Sequence, residues 1–194
     1  MKQSGSNILY LHGFNSSRLS RKAQQLMQAW ERAGLPQERL CIPELPNDPR
    51  QVMPLLEEWL AGRSGPLVVV GSSLGGYYAT WLAERYRCRA LLINPAVLPC
   101  KRFEQYLGAQ RNHYTGESWV LTRAHVDALA QLATPPPEEG DRYWVWLQTG
   151  DETLDYREAE AFYRHCRLDI RQGGDHGYQG FEARIPELLA FAGY

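Results

Sequence analysis

The chain has 194 residues, of which 44% are hydrophobic and 22% are charged, and its formal charge at pH 7 is −1. This balance is typical of a globular protein whose apolar core is large enough to fold without disulfides. The 21 basic residues face 22 acidic ones and form no polybasic segment, so we expect binding to neither nucleic acid nor an anionic membrane.

Four cysteines are spread along the sequence, at Cys41, Cys88, Cys100 and Cys166. They form no Cys-x-x-Cys pair and no metal-like spacing with the five histidines, which predicts a reducing compartment with free thiols and no structural metal site. The N-terminal residues Met1–Tyr10 contain an apolar run that is too short for a signal peptide or a membrane span. We therefore expect a single cytoplasmic domain over residues 1–194.

Short apolar runs rich in β-branched, leucine and aromatic residues predict strands. These runs are Asn7–Leu11, Leu40–Ile42, Leu67–Val70, Ala90–Ile93, Tyr143–Leu147 and Leu168–Ile170. Helical patterns separate them: apolar residues recur from Leu19 to Trp30, and Asp48-Pro49 opens a second helix that ends before Gly62. Strands too apolar to face solvent, alternating with helices, predict a mostly parallel sheet of about six strands with helices on both faces.

Residues 99–134 interrupt this alternation with an insertion that contains Phe103, Tyr106 and Trp119. A helical pattern with Val126 and Leu129 at core spacing follows in the same segment. Because the insertion comes directly after a predicted strand, we expect a small helical cap over the carboxyl ends of the sheet. Its aromatic residues either line a substrate pocket or anchor the insertion on the sheet.

A glycine-rich turn follows the strand Leu67–Val70, with the sequence Gly71-Ser72-Ser73-Leu74-Gly75-Gly76. The pattern Gly-x-Ser-x-Gly fits a nucleophile elbow, in which small residues let the turn close around a strained, exposed serine. Ser73 takes the central position and Ser72 does not. A P-loop needs a lysine where Tyr77 stands. The pentapeptide alone is also compatible with a turn that carries no chemistry.

A serine nucleophile needs a base, and in this arrangement the histidine follows a late strand. His176 alone among the histidines does so, and glycines flank its loop. The insertion holds His113 and His125, and His165 ends a helical pattern, where a histidine usually interacts with the helix dipole. His176 is therefore the predicted base, and the alternative is a structural histidine in a polar loop.

Two aspartates compete for the acid position after the strand Tyr143–Leu147. Asp151 follows that strand directly, whereas Asp155 begins an Asp-x-x-Glu pattern with Glu158 that is typical of a helix start. We favour Asp151 as the acid and keep Asp155 as the runner-up. Asp175 has the sequence context of a loop-turn residue.

The segment after the first strand, Leu9–Ser17, places His-Gly at a strand end before a polar turn. Paired N–H donors at Phe14 and Leu74 are the predicted oxyanion hole for a tetrahedral intermediate. Alternatively, Ser16 or Ser17 simply caps the next helix, and both interpretations are compatible.

Together these motifs resemble those of the YqiA-like small bacterial esterases, a compact branch of the α/β-hydrolases. The resemblance covers nearly the whole chain and rests on Leu9–Ser17, Gly71–Leu82, Asn94–Val97, Gln148–Glu152 with Leu154–Tyr156, and Gly173–His176 with Gly180–Glu182. It implies a shortened hydrolase sheet, with Ser73 as nucleophile, His176 as base and Asp151 as acid. Asp175 stands where the resemblance leads us to expect Asn, and it adds a carboxylate beside the base.

The leading hypothesis is a cofactor-free serine esterase acting on a short acyl ester through an acyl-enzyme. A thioesterase using the same triad on acyl-CoA is the alternative, because the leaving group is recognised by the pocket and not by the triad. A different class, a catalytically silent binding protein on the same fold, is also kept, since fold alone does not determine function.

Overall fold

The computed structural model describes residues 5–194 of the chain. Its strands are β1 (Asn7–Leu11), β2 (Leu40–Cys41), β3 (Leu67–Ser72), β4 (Arg89–Ile93), β5 (Gly108–Arg111), β6 (Ser118–Leu121), β7 (Tyr143–Gln148) and β8 (Arg167–Arg171). Its α-helices are α1 (Arg21–Arg32), α2 (Pro49–Ala61), α3 (Leu74–Tyr86), α4 (Cys100–Phe103), α5 (Arg123–Gln131), α6 (Tyr156–Phe162) and α7 (Phe181–Phe191).

The main sheet has six strands in the order β2-β1-β3-β4-β7-β8, and every neighbouring pair is parallel. All six predicted strands are present, and the predicted parallel architecture is confirmed. The direction in which the chain adds strands reverses at β1: β2 lies on one side of β1, and β3 and the later strands lie on the other. Polar residues at the carboxyl ends of β1, β3 and β7 are thereby brought to one edge.

Both faces of this sheet are buried, which explains the nearly continuous apolar strands. On one face Ile8 and Tyr10 of β1 pack with residues of α1 and α7. On the other face Leu9 and Leu11 pack with residues of α2, α3 and α5. Alternate side chains of a strand point to opposite faces, so each strand contributes to both layers.

The start of α2 agrees with its sequence signals. The Asp48 carboxylate accepts the backbone N–H of Arg50 at 3.0 Å, and Pro49 takes the first helical position. The start of α1 differs from the prediction, because Leu19 lies before the helix and is 55% exposed. The Leu19 N–H donates to the Ser17 hydroxyl at 2.9 Å, which forms a turn, and Ser20 becomes the N-cap position.

The insertion contains the predicted helix, α5, but also an antiparallel hairpin of β5 and β6 that the sequence analysis did not predict. These strands are half exposed and have few core residues, so they lack the apolar signal of the main sheet. The insertion is fixed to the sheet layers by the Tyr77 hydroxyl, which donates to the Leu129 carbonyl at 2.6 Å. Within residues 5–194 we find no helix whose length and hydrophobicity suit a bilayer crossing.

Candidate active site

Ser73 occupies the turn between β3 and α3 with φ of 56° and ψ of −122°, a conformation that costs free energy for any residue with a side chain. The turn closes only because its neighbours are glycines. A Cβ at Gly71 would collide with the Gly75 carbonyl, and a Cβ at Gly75 would collide with the Leu11 carbonyl. The predicted elbow geometry is therefore present around Ser73.

Backbone hydrogen bonds hold this strained turn in place. The Ser73 N–H donates to the Ile93 carbonyl at 3.1 Å, and the Ser73 carbonyl accepts the N–H groups of Gly76 and Ala96 at 2.9 and 3.0 Å. The serine is thus anchored to β4 and to the loop that follows it, which fixes the direction of its side chain.

The structure brings Ser73, His176 and Asp151 into one hydrogen-bonded line. His176 Nε2 lies 3.0 Å from Ser73 Oγ, and Nδ1 lies 2.8 Å from Asp151 Oδ2. The Asp151 side chain is only 2% exposed, and its Oδ1 also accepts the N–H groups of Thr153 and Leu154 at 2.9 and 2.8 Å. Burial and these backbone donors fix the orientation of the Asp151 carboxylate relative to the imidazole.

Asp155, the alternative acid, has a different environment. Its carboxylate accepts the Arg157 N–H at 3.0 Å and caps α6, as the pattern Asp-x-x-Glu predicts. Glu158 forms no capping box with Asp155; its carboxylate accepts a hydrogen bond from Arg102 at 3.1 Å. The geometry therefore favours Asp151 over Asp155 as the partner of His176.

The loop of His176 is held by two buried amides, Asn94 and Gln148, whose role the sequence analysis did not predict. Asn94 Nδ2 donates to the carbonyls of Asp175 and His176 at 3.1 and 3.4 Å, and its Oδ1 accepts the Gln148 N–H at 3.0 Å. Gln148 Oε1 accepts the N–H groups of Asp175 and Gln179 at 3.1 and 2.8 Å. In both cases the sequence shows a polar residue at the end of an apolar strand, and this pattern was the available indication of a functional role.

The first loop, after β1, lies against the serine as expected for a donor loop. A methyl group built on Gly13 would be 3.1 Å from Ser73 Cβ. Among residues 5–194, the backbone N–H groups of Phe14 and Leu74 donate no hydrogen bond. Leu74 is also the first residue of α3, where the helix dipole favours negative charge. These two donors remain the predicted oxyanion hole.

His12, which directly follows β1, has a structural environment. It is buried, its Nε2 accepts the Leu45 N–H at 3.1 Å, and its Nδ1 lies 3.0 Å from the Gly13 carbonyl. Burial lowers the pKa of His12, which favours the neutral ring. The imidazole therefore links the loop after β1 to the segment before α2.

Two cavities meet this site. The larger, about 710 Å³, is lined by Ser73 and His176 together with the start of α1 and the start of α7. The smaller, about 30 Å³, lies beside Phe14 and Leu74 and is lined by apolar residues of the insertion. The two cavities share the loop after β1 as a wall.

The insertion aromatics have different positions. Phe103 and Trp119 pack edge-on against the Phe14 ring, with centroid distances of 4.6 and 5.6 Å, and both line the small cavity. Trp119 Nε1 also donates to Asn15 Oδ1 at 2.8 Å. Tyr106 is 50% exposed and lines neither cavity. Phe103 and Trp119 thus both anchor the insertion and shape the space beside the donor loop.

A model of the uncharacterised protein family UPF0227 matches residues 7–193 of this chain. Solved structures are similar over nearly the whole chain. The alpha/beta hydrolase domain-containing protein 10 from mouse has 14% identity and a TM-score of 0.69, with 96% of this chain and 91% of that chain covered. Est1E from Butyrivibrio proteoclasticus has 15% identity and a TM-score of 0.63, with coverages of 97% and 89%.

Tomato methylketone synthase I, complexed with 2-tridecanone, is also similar, with 10% identity, a TM-score of 0.69 and coverages of 97% and 98%. Similarities at such low identity show the fold alone, and they confirm the α/β-hydrolase architecture. The names of these proteins span different activities, so the chemistry of this chain has to be argued from its own site.

Proposed function

The chain belongs to the uncharacterised protein family UPF0227, and we propose that it is a serine esterase that hydrolyses short acyl esters through an acyl-enzyme. The observation that carries this proposal is the continuous line of hydrogen bonds from Ser73 Oγ through His176 to Asp151. In this proposal Ser73 is the nucleophile, His176 the general base and Asp151 the acid that orients the imidazole.

Asp151 accepts a hydrogen bond from the Nδ1–H of His176, which keeps that proton on Nδ1 and leaves Nε2 free to accept the proton of the Ser73 hydroxyl. As that proton leaves, Oγ forms a bond to the acyl carbonyl carbon, and the carbonyl electron pair moves to its oxygen. The N–H groups of Phe14 and Leu74 then stabilise the oxyanion. The imidazolium next protonates the leaving oxygen as the bond from carbon to that oxygen breaks, which leaves the acyl group on Ser73.

Deacylation repeats these steps with water. His176 accepts a proton from a water molecule that attacks the acyl carbon, and the imidazolium returns the proton to Ser73 Oγ as the acid product leaves. The buried carboxylate of Asp151 stabilises the imidazolium in both halves of the reaction.

The two cavities support a short acyl group. The small apolar cavity adjoins the proposed oxyanion donors and, at about 30 Å³, is far smaller than the second cavity, so it favours a short acyl group. The larger cavity, about 710 Å³, is left for the alcohol portion of the substrate. A thioester enters the same route, because the chemistry at Ser73 does not depend on the leaving atom.

The test combines a fluorophosphonate probe with a hydrolysis screen over acyl length, using oxygen and thioester leaving groups. We expect stoichiometric labelling of the folded protein, with loss of labelling and at least about 10³-fold loss of ester hydrolysis in Ser73→Ala. Ser72→Ala is the matched control and should keep both properties. No labelling of the folded protein contradicts the proposal and favours a binding protein.

A further inference from the structure

Asn15 directly follows Phe14, whose N–H is a proposed oxyanion donor, and has an unusual backbone conformation. Its φ is 51°, in the left-handed region that residues with a side chain rarely adopt and that asparagine tolerates better than most. Such a conformation persists only where surrounding contacts hold it. The direction of the Phe14 peptide therefore depends on the contacts of its neighbour.

The side chain of Asn15 is buried and lies between two residues of the insertion. Trp119 Nε1 donates to Asn15 Oδ1 at 2.8 Å, and Asn15 Nδ2 donates to Gln110 Oε1 at 3.0 Å. Because an indole N–H only donates, the Asn15 amide has one orientation that satisfies both partners, with its oxygen toward Trp119.

The hairpin of β5 and β6 sets the spacing of these two partners. Gln110 and Trp119 stand directly opposite each other in the antiparallel pair, so their side chains lie on the same face of the hairpin. Gln110 Nε2 donates to the Tyr106 carbonyl at 2.6 Å, which directs its amide oxygen toward Asn15. The hydrogen bonds thus run in one direction from the indole to the Tyr106 carbonyl.

The turn between β5 and β6 holds the backbone of the same segment. The His113 N–H donates to the Asn15 carbonyl at 2.9 Å, and Asn112 Nδ2 donates to the Ser16 carbonyl at 2.7 Å. Asn112 is buried, and its Oδ1 accepts two N–H groups of the turn. The insertion therefore holds both the side chain and the backbone of the residues that follow Phe14.

The peptide group that carries the Phe14 N–H is also held on its other side. Its carbonyl belongs to Gly13 and lies 3.0 Å from His12 Nδ1. Because His12 Nε2 accepts the Leu45 N–H, the proton of the neutral ring is on Nδ1 and is donated to that carbonyl. Phe14 thus lies between two fixed points, and Asn15 is the one that the insertion supplies.

We propose that Asn15 is a positioning residue for the oxyanion hole, through which the hairpin of β5 and β6 acts on catalysis. The inference rests on the esterase function proposed above. With Asn15 held between Gln110 and Trp119, the Phe14 N–H has its direction toward the developing oxyanion before the substrate arrives. Without these hydrogen bonds the loop after β1 relaxes and the donor is aimed less well, while the three catalytic side chains are unchanged.

The test uses two variants. Asn15→Gly keeps the left-handed backbone accessible and removes both side-chain hydrogen bonds, and Trp119→Phe keeps an aromatic ring and removes the indole donor. Trp59→Phe is the matched control, because Trp59 lines neither cavity at the site. Rates of phenyl acetate hydrolysis are divided by the number of sites that a fluorophosphonate labels at completion, so unfolded protein does not contribute.

We expect kcat and kcat/KM per labelled site to fall equally in Asn15→Gly and Trp119→Phe, by about tenfold or more. An interaction made only in the transition state affects both constants in this way, and the loss of a whole oxyanion donor lowers kcat by about 10²–10³-fold. Trp59→Phe should keep both constants.

Phenylboronic acid separates positioning from stability. The Ser73 oxygen forms a bond to boron as His176 takes its proton, and the tetrahedral adduct presents a boron-bound oxygen to the proposed oxyanion donors. The inhibition constant should therefore rise along with the loss of kcat in both test variants and stay unchanged in the control. A variant that is only less stable keeps the native inhibition constant.

The outcomes separate this inference from the esterase proposal. Native kcat per labelled site and native inhibition in Asn15→Gly overturn the inference and leave the esterase intact, even if the melting temperature falls. A rise in KM alone also overturns it, because Asn15 then acts in substrate binding. A loss in Trp119→Phe with none in Asn15→Gly overturns it too, because Trp119 then acts through the small cavity. If the native protein hydrolyses no ester and Ser73 is not labelled, the esterase proposal itself is wrong.

Discussion

The Arg184 guanidinium donates a hydrogen bond of 2.6 Å to the hydroxyl of Tyr178, two residues after His176. Tyr178 has a φ of 62°, a left-handed conformation that is unfavourable for an aromatic residue. Its ring stacks on Trp146, and the guanidinium lies 3.8 Å from the centre of the same indole ring. The loop of His176 is therefore held by a buried cation as well as by the amides of Asn94 and Gln148.

Arg184→Met should lower the free energy of unfolding by about 2–3 kcal/mol, because it leaves Asp169 and Glu187 without their buried partner. Arg184 is 2% exposed and pairs with these carboxylates at 2.6 and 2.7 Å. Urea unfolding measures the loss. The matched control is Arg32→Met, whose exposed pair with Glu182 at 3.4 Å should contribute less than about 1 kcal/mol. Equal losses in both variants would contradict a special role for Arg184.

Much of this fold was predictable because its strands are buried on both faces. A run such as Leu67–Val70 has no solvent face, so its composition alone distinguishes it from a surface strand. The elbow was predictable for a similar reason, since only glycine fits at Gly71 and Gly75. The contact at Gly71 lies within the turn and the contact at Gly75 is with Leu11 of β1, but in both cases the requirement for glycine is visible in the local sequence.

Features that depend on distant partners were not predictable. The hairpin of β5 and β6 has a half-exposed pattern, and a single sequence offers little to distinguish it from a loop. The contact of Lys22 with Gly177 joins residues 155 positions apart, so no periodicity reveals it. Asn94 and Gln148 end apolar strands in the manner of ordinary loop residues, and their role depends on where the loop of His176 folds.

The two candidate acids are separated by paired substitutions. Asp151→Asn should lower kcat by several orders of magnitude, about 10⁴-fold, because an amide does not stabilise the imidazolium and favours the wrong tautomer. Asp155→Ala should instead lower the free energy of unfolding by about 1 kcal/mol through the lost cap of α6 while kcat stays within a few fold. Steady-state kinetics and thermal unfolding of both variants provide the measurement, and the reverse pattern assigns the acid to Asp155.

The small cavity beside Phe14 predicts which insertion residue controls acyl length. Trp119 lines that cavity and packs on the Phe14 ring at 5.6 Å, so Trp119→Ala enlarges the space available to the acyl chain. Each added methylene that finds room is worth about 1–3 kcal/mol in transition-state binding. We therefore expect the acyl length with the highest kcat/KM to increase in Trp119→Ala.

Tyr106, which is half exposed and outside both cavities, is the control, and Tyr106→Ala should leave the optimum unchanged. If Trp119→Ala lowers the melting temperature and scales all acyl esters equally, Trp119 only anchors the insertion, and the acyl group occupies the large cavity instead.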